Sequence, residues 1–178
     1  MRITFLRHTQ VSSAYLGKYN GHIDIPLSKQ GKEDAKKLAS SLQKENFDLI
    51  YCSDLLRTRE TLQALQLQAK TVFTHNLREK SWGRHEGKSY DEICKSEKII
   101  YQNFMQWINA LDGESIECFQ KRVTEYFYNT ILKQNTKNVL ILTHSGVIKT
   151  LLGFHYNYSL EESFSLQVEY GTTITLEL

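Results

Sequence analysis

Short apolar runs along the chain alternate with longer segments in which apolar residues recur every three or four positions. A short continuous apolar run is typical of a buried strand, and the longer spacing predicts an amphipathic helix. Strands are predicted at residues 3–6, 47–52, 70–74 and 139–142, with two closing strands at 164–170 and 172–176 that turn at Gly171. Helices are predicted at residues 29–45, 55–65, 100–111, 116–127 and 147–152, the last ending at Gly153.

The order of these elements predicts the fold class. Strands joined by helices of this length form right-handed crossovers, which place the strands parallel in one sheet. We therefore expect an α/β protein, a three-layer sandwich in which helices flank a mostly parallel central sheet. No repeat or linker rich in proline, glycine and serine interrupts the 178 residues, so residues 1–178 are predicted to form a single domain.

Composition and charge narrow the classes of function. The chain is 40% hydrophobic and 24% charged, as in ordinary globular proteins, and its formal net charge is only +2. This small charge argues against nucleic acid or a membrane surface as the main partner. The cysteines lack CxxC spacing, and the N-terminal apolar run is too short for a signal peptide or a membrane span. We therefore expect a cytoplasmic protein with reduced thiols.

Arginines and histidines follow three of the predicted strands. Arg7 and His8 come directly after the first strand, Arg57 follows the second, and His144 follows the strand at 139–142. Parallel α/β sheets bind ligands at the carboxyl ends of their strands. An arginine donates paired hydrogen bonds to phosphate, and a neutral imidazole can attack phosphorus. One such turn is weak evidence, but three at one edge indicate phosphoryl transfer.

Six segments, taken in chain order, carry a resemblance to a known family. They read LRHTQV at residues 6–11, NGHIDIPLS at 20–28, SDLLRTRET at 53–61, LREKSWGRHEGK at 77–88, GES at 113–115 and THSGVI at 143–148. Each motif alone is loose, whereas six in the same order are specific. The chain resembles the histidine phosphatase superfamily, the phosphoglycerate-mutase-like group, over nearly its whole length.

The resemblance implies roles for the residues at the predicted sheet edge. His8 is expected to be the nucleophile that carries the phosphoryl group, and Arg7 and Arg57 are expected to hold the phosphate. His144 is expected to stabilise the charge on the transferring group. Glu79 would be the general acid that protonates the leaving oxygen, and then the base for the water that hydrolyses the phosphohistidine.

Other motif residues are implied to contact a small phosphorylated substrate. Asn20 and Gly21 would bind it through the first loop, and Ser145 would donate its backbone N–H. The resemblance implies no metal and no cofactor, and the remaining histidines lack the HxH or HExxH spacing of a metal site.

The sequence departs from the family pattern at three positions. Thr9 stands where the family has a glycine after the histidine, Val11 replaces a frequent threonine, and Ala14 stands where many members have an asparagine. Glycine allows close approach of the backbone to a phosphate, and an asparagine side chain can donate a hydrogen bond to it. These replacements are expected to weaken activity or to change specificity.

Three functions remain open at this point. The first is a phosphomonoesterase, because the chain lacks the cationic insertion of phosphoglycerate mutases. The stretch YNGHIDIPLS at residues 19–28 most resembles α-ribazole phosphatases of cobalamin assembly, which makes α-ribazole 5′-phosphate the first candidate substrate. The alternatives are a phosphoglycerate mutase and a non-catalytic module that binds a phosphorylated ligand. The closing strands could also provide a sheet edge for a homodimer.

Overall fold

A five-stranded sheet forms the centre of the structure, a computed structural model that describes residues 1–178. Its strands are β1 (Arg2–Arg7), β2 (Leu49–Ser53), β3 (Lys70–Thr74), β4 (Asn138–Thr143) and β5 (Thr173–Glu177). The spatial order is β3-β2-β4-β1-β5, with the first four strands parallel and β5 antiparallel to β1. The predicted α/β class with a mostly parallel sheet is confirmed.

Seven α-helices accompany the strands. They are α1 (Lys29–Leu42), α2 (Leu56–Leu65), α3 (Tyr90–Ser96), α4 (Phe104–Ala110), α5 (Ile116–Tyr126), α6 (Ser145–Tyr156) and α7 (Leu160–Ser165). A π-helical turn continues α5 over Phe127–Ile131. Helices α1 and α2 pack on each other, and α6 packs on both α5 and α7.

Alternate strand residues face two separate hydrophobic cores, because side chains along a strand point to opposite faces of the sheet. Leu140 and Leu142 of β4 join a cluster that includes Leu65 of α2. Val139 and Ile141 point the other way, into a larger cluster with apolar residues of α4, α5 and α6. Helices therefore cover both faces of the sheet, which produces the three predicted layers.

The prediction of a strand at residues 164–170 is wrong, whereas the second predicted closing strand corresponds to β5. Helix α7 occupies the first part of this segment. It begins with a capping box, in which the side chains of Ser159 and Glu162 each accept a hydrogen bond from the other's backbone N–H. The capping box satisfies N–H groups at the helix start and so favours a helix here. The alternating apolar residues had instead suggested a strand. The residues after α7 form a loop that leads to β5.

Helix α6 runs past its predicted end at Gly153. It stops at Tyr156, where Asn157 takes the left-handed conformation with a φ of 57°. Gly153 serves a different purpose, because a Cβ at this position would overlap the hydroxyl of Ser163 on α7. The glycine therefore allows α6 and α7 to pack closely instead of ending the helix.

The segment between β3 and α5 also differs from the prediction. The helix predicted at residues 100–111 begins only at Phe104, where the side chain of Asn103 caps it, and Ile100 is 94% exposed. Helix α3 was not predicted, although a capping box at Ser89 marks its start. No helix of the structure combines the length and the apolar character needed to cross a bilayer.

Candidate active site

Neighbouring strands bring the predicted site residues to one edge of the sheet. In the register of β1 and β4, Arg7 pairs with Thr143, so His8 and His144 leave the two strands side by side. The centroids of their imidazole rings lie 5.2 Å apart. Strand β2, on the other side of β4, leads into α2, which carries Arg57.

A cleft with a volume of about 220 Å³ lies at this edge. Every residue that the family motifs predicted for the site lines it: Arg7, His8, Asn20, Gly21, Arg57, Glu79, His144 and Ser145. These residues come from separate segments of the chain, and the fold assembles them. The structure thus brings the whole predicted set together, while the role of each residue stays a prediction.

His8 is 5% exposed, and one hydrogen bond orients its ring. Its Nδ1 lies 2.8 Å from the carbonyl oxygen of Thr9. A carbonyl only accepts hydrogen bonds, so Nδ1 carries the proton and Nε2 keeps its lone pair. Burial lowers the pKa of His8 well below 6.5, and the positive charges of Arg57 and Arg7 lower it further. The ring is therefore a neutral imidazole whose Nε2 is available as a nucleophile.

Arg57 is 2% exposed, and backbone carbonyls hold its guanidinium in place. Nη2 donates to Gly21 at 2.7 Å and Nη1 donates to Ile23 at 3.0 Å. Nε donates to Nδ1 of His144 at 3.3 Å. Burial lowers the pKa of Arg57 to about 10, so the side chain stays charged at neutral pH. The site therefore contains a fixed positive charge beside the second histidine.

Arg7 is held by the loop that joins α7 to β5. Its Nη1 donates to the carbonyl of Val168 at 2.6 Å, and its guanidinium carbon lies 3.9 Å from the ring centroid of Tyr170. The N–H of Gly171 in the same loop bonds to the carbonyls of Arg7 and His8. Nε of Arg7 is buried without a hydrogen-bond partner, and the residue lines the cleft. The guanidinium therefore brings a fixed positive charge to the wall of the cleft.

His144 uses both of its ring nitrogens. Nδ1 accepts from Arg57, which can only donate, so Nε2 carries the proton and donates it to Ser53 Oγ at 2.8 Å. Burial lowers the pKa of His144 well below 6.5, and the charge of Arg57 lowers it further.

Glu79 lies on the loop that follows β3 and reaches the start of α6. Its carboxylate accepts hydrogen bonds from the backbone N–H groups of Lys80 at 3.0 Å and Gly146 at 2.9 Å. A Cβ at position 146 would overlap Glu79 Oε1, so this contact requires glycine. The two N–H groups hold the carboxylate at the wall of the cleft.

Aromatic and basic residues that the sequence reasoning did not assign to the site also line the cleft. They are Tyr19, Trp82, Phe164, Tyr170, Lys18 and Lys149. Tyr19 and Trp82 lie next to or within matched motifs, which was an available signal. Tyr170 has no such signal, because its loop reaches the site only through its contacts with β1.

The three departures from the family pattern have different places in the structure. Thr9 is 1% exposed, its φ is not positive, and its N–H donates to Thr61 Oγ1 at 3.2 Å. Val11 lines the cleft, whereas Ala14 is exposed on the 3₁₀ turn Ser13–Tyr15. Thr9 and Ala14 are not among the residues that line the cleft, so neither side chain obstructs it.

Two further histidines lie within matched motifs but outside the cleft lining. Nε2 of His22 lies 2.9 Å from the carbonyl oxygen of Glu79. His85 is buried and forms hydrogen bonds with Glu97 and with the N–H of Asp112. No group of three or more His, Cys, Asp or Glu side chains is arranged to hold a metal ion. Both histidines instead connect loops around the site.

Comparisons with known proteins agree with the motifs and the fold. The family model of the histidine phosphatase superfamily (branch 1) matches residues 3–178. The chain is 27% identical over 184 residues to the adenosylcobalamin/alpha-ribazole phosphatase of Salmonella typhimurium, with 100% of this chain and 91% of the relative covered. It is 25% identical over 186 residues to the Escherichia coli protein of the same name, with 100% and 90% covered.

Solved structures give the same result. The crystal structure of the alpha-ribazole phosphatase from Shigella flexneri superposes with a TM-score of 0.85 at 26% identity, covering 100% of this chain and 91% of that one. The resemblance read from six motifs is confirmed, and with it the prediction of a phosphatase. The chain belongs to the histidine phosphatase superfamily.

Proposed function

We propose that this phosphatase is a phosphomonoesterase that acts through a phosphohistidine formed on His8. The observation that carries the proposal is the state of His8, a buried neutral imidazole with Nε2 available beside two arginines. Phosphoryl transfer depends mainly on positioning and on positive charge around the phosphoryl oxygens. Arg7 and Arg57 supply that charge from positions that the backbone holds.

In the first step, Nε2 of His8 attacks phosphorus, so that an N–P bond forms while the bond between phosphorus and the ester oxygen breaks. The two arginines and the backbone N–H of Ser145 hold the phosphoryl oxygens. His144 is proposed to stabilise the charge on the transferring group through Arg57, whose Nε–H it accepts. Glu79 gives its proton to the departing oxygen, so an alcohol rather than an alkoxide leaves.

In the second step, water hydrolyses the phosphohistidine. The Glu79 carboxylate removes a proton from the water, the water oxygen attacks phosphorus, and the N–P bond breaks. Phosphate leaves, His8 is neutral again and Glu79 is protonated for the next turnover. One carboxyl group therefore serves both steps, and its contacts with Lys80 and Gly146 suit a group that must keep its place.

α-Ribazole 5′-phosphate is the substrate that we propose first. Two of the relatives carry this activity in their names. The aromatic residues of the cleft support the choice, because Tyr19, Trp82 and Phe164 line it and can contact a leaving group with an aromatic base. Asn20 and Gly21 are proposed to contact the same leaving group.

Trapping of the phosphoenzyme tests the nucleophile. Wild-type protein treated with a radiolabelled phosphomonoester should keep bound label after an alkaline quench and lose it in acid, because phosphohistidine is acid-labile. His8→Ala should keep none. His155→Ala, at an exposed histidine outside the cleft, should match wild type. Acid-stable label on a serine or a cysteine would contradict the assignment.

A kinetic panel tests the reaction and the substrate. A higher kcat/KM for α-ribazole 5′-phosphate than for p-nitrophenyl phosphate and sugar phosphates supports the proposed substrate. Isomerisation of phosphoglycerate that outpaces its hydrolysis would indicate a mutase. Background phosphate release from every ester, with His8→Ala equal to wild type, would indicate a module that binds a phosphorylated ligand without catalysis.

A further inference from the structure

One arginine outside the cleft holds the loop that carries Glu79. Arg122 lies on α5, and its side chain is 16% exposed. Its Nη1 lies 2.8–3.2 Å from the carbonyl oxygens of His75, Asn76 and Arg78. Its Nη2 donates to the carbonyl of Glu79 at 3.3 Å. A single guanidinium therefore contacts the carbonyl groups of four of the five residues at 75–79, the segment that ends at the proposed general acid.

Arg122 also binds Glu114 of the GES motif. Nε and Nη2 donate to the two carboxylate oxygens, both at 2.8 Å, in a paired geometry that suits the guanidinium fork. Burial acts to raise the pKa of Glu114, but the hydrogen bonds and charge of Arg122 hold it below its usual value. Both partners are charged, so the pair adds no net charge near the cleft. Its effect on Glu79 is therefore one of position.

The backbone path of residues 75–79 depends on this guanidinium. Carbonyl groups that converge repel each other unless a cation or a set of donors lies between them. The carbonyl of Glu79 has one other donor, Nε2 of His22 at 2.9 Å. In this backbone conformation of the loop, the carboxylate of Glu79 accepts hydrogen bonds from the N–H groups of Lys80 and Gly146.

We propose that Arg122 is a positioning residue that sets the place of the Glu79 carboxylate in the cleft, with Glu114 as its partner. The inference rests on the proposed role of Glu79 as the general acid. A lysine at position 122 keeps the charge, but its single nitrogen cannot bridge a carboxylate and several carbonyls at once. Moving a reacting group by about 1 Å can cost ~10²-fold in rate.

The test compares Arg122→Lys with Arg84→Lys as a matched control. Arg84 also forms a paired contact with a glutamate, Glu97, but its side chain is 63% exposed and none of its hydrogen bonds reaches the Glu79 loop. The substrates are phenyl phosphate, which has a poor leaving group, and p-nitrophenyl phosphate, which has a good one. The measured quantity is kcat/KM, which depends only on the steps up to release of the alcohol. Hydrolysis of the phosphoenzyme comes after that release and does not affect it.

For Arg122→Lys we expect kcat/KM with phenyl phosphate to fall on the order of 10- to 100-fold. With p-nitrophenyl phosphate it should fall less than about threefold, because that leaving group hardly needs a proton. Arg84→Lys should change both values less than about twofold, as expected for an exposed ion pair. The selective loss is the signature of a displaced acid, since loss of folded protein would lower both values together.

A double mutant separates positioning from a general loss of structure. In the Glu79→Gln background, Arg122→Lys should cause no further loss with phenyl phosphate, because the acid is already gone. The proposal would be overturned if Arg122→Lys lowered kcat/KM equally for both esters, with rates expressed per molecule able to form the phosphohistidine. Unchanged kinetics would overturn it as well. If Glu79→Gln itself slows both esters equally, the general-acid role fails instead. The two failures are thereby distinguished.

Discussion

Replacing Thr9 with glycine restores the residue that the family pattern has after the histidine, and we expect the change to destabilise the protein without improving catalysis. The backbone at Thr9 does not need glycine, since its φ is not positive. Its Oγ1 lies 3.3 Å from that of Thr61, whose own proton is donated to the carbonyl of Arg57. Its γ-methyl faces Gly171, where an added Cβ would lie 3.5 Å away.

Three losses set the size of the effect. Removing the buried Cβ and γ-methyl carbons costs about 1.6 kcal/mol, at about 0.8 kcal/mol for each carbon. A long hydrogen bond between hydroxyls contributes about 0.5 kcal/mol, and the extra freedom of glycine in the unfolded chain costs about 0.5–1 kcal/mol. The free energy of unfolding should therefore fall by about 3 kcal/mol, which lowers Tm by about 6–12 °C for a chain of this size. Thr9→Ser keeps Cβ and the hydroxyl and should lose roughly a third as much.

Urea unfolding and thermal scans measure the stability, and kcat/KM with p-nitrophenyl phosphate measures catalysis. The N–H of Thr9 is bonded to Thr61 and the residue does not line the cleft. We therefore expect kcat/KM within about threefold of wild type, far from the ~10²-fold change that a donor to the reacting group can produce. A glycine variant as stable as wild type would refute the packing argument. A gain in kcat/KM on the order of tenfold would show that the threonine obstructs the site.

Three further predictions concern the charge of His8, its effect on stability and the support of Arg7. Burial, then the charges of Arg57 and Arg7, hold the pKa of His8 well below 6.5, so the neutral nucleophile should persist as pH falls past that value. The acid limb of kcat/KM, corrected for ionisation of the substrate, should lie well below pH 6.5, and a limb at or above this pH would contradict the assignment. As pH falls, His8 binds a proton in the unfolded chain before it does so in the folded protein. The free energy of unfolding should therefore also decline as pH falls below about 6.5. Tyr170→Ala removes the ring 3.9 Å from the Arg7 guanidinium and should weaken vanadate inhibition by about 2- to 30-fold. Tyr170→Phe keeps the ring and should stay within about twofold, so equal losses in both variants would show that the phenol, not the ring face, supports Arg7.

The first four strands lie within one or two residues of their predicted bounds. Continuous apolar runs mark them well, because a strand buried on both faces is apolar along its whole length. The same reasoning failed at residues 164–170, where the apolar pattern predicted a strand. A capping box in the residues just before them starts helix α7 instead. The single domain, the cytoplasmic location and the homodimer stay predictions.

The order of the motifs predicted which residues line the cleft. Arg7, Arg57 and His144 follow strands, and the rule that ligands bind at the carboxyl ends of parallel strands places such residues together. Glu79 also lies on a loop after a strand, β3, but it was predicted through its motif alone. Its neighbours in the chain, Arg78 and Lys80, would otherwise suggest a solvated surface charge.

Local apolar patterns and short motifs were enough to predict the five strands of the sheet, the class of fold and the residues that meet at the sheet edge. The lowered pKa of His8, the support of Arg7 by a carbonyl 161 residues away and the hold of Arg122 on the Glu79 loop come from the tertiary structure. The physical reason is that burial and hydrogen-bond partners arise between segments far apart in the chain. No local pattern of residues contains that information.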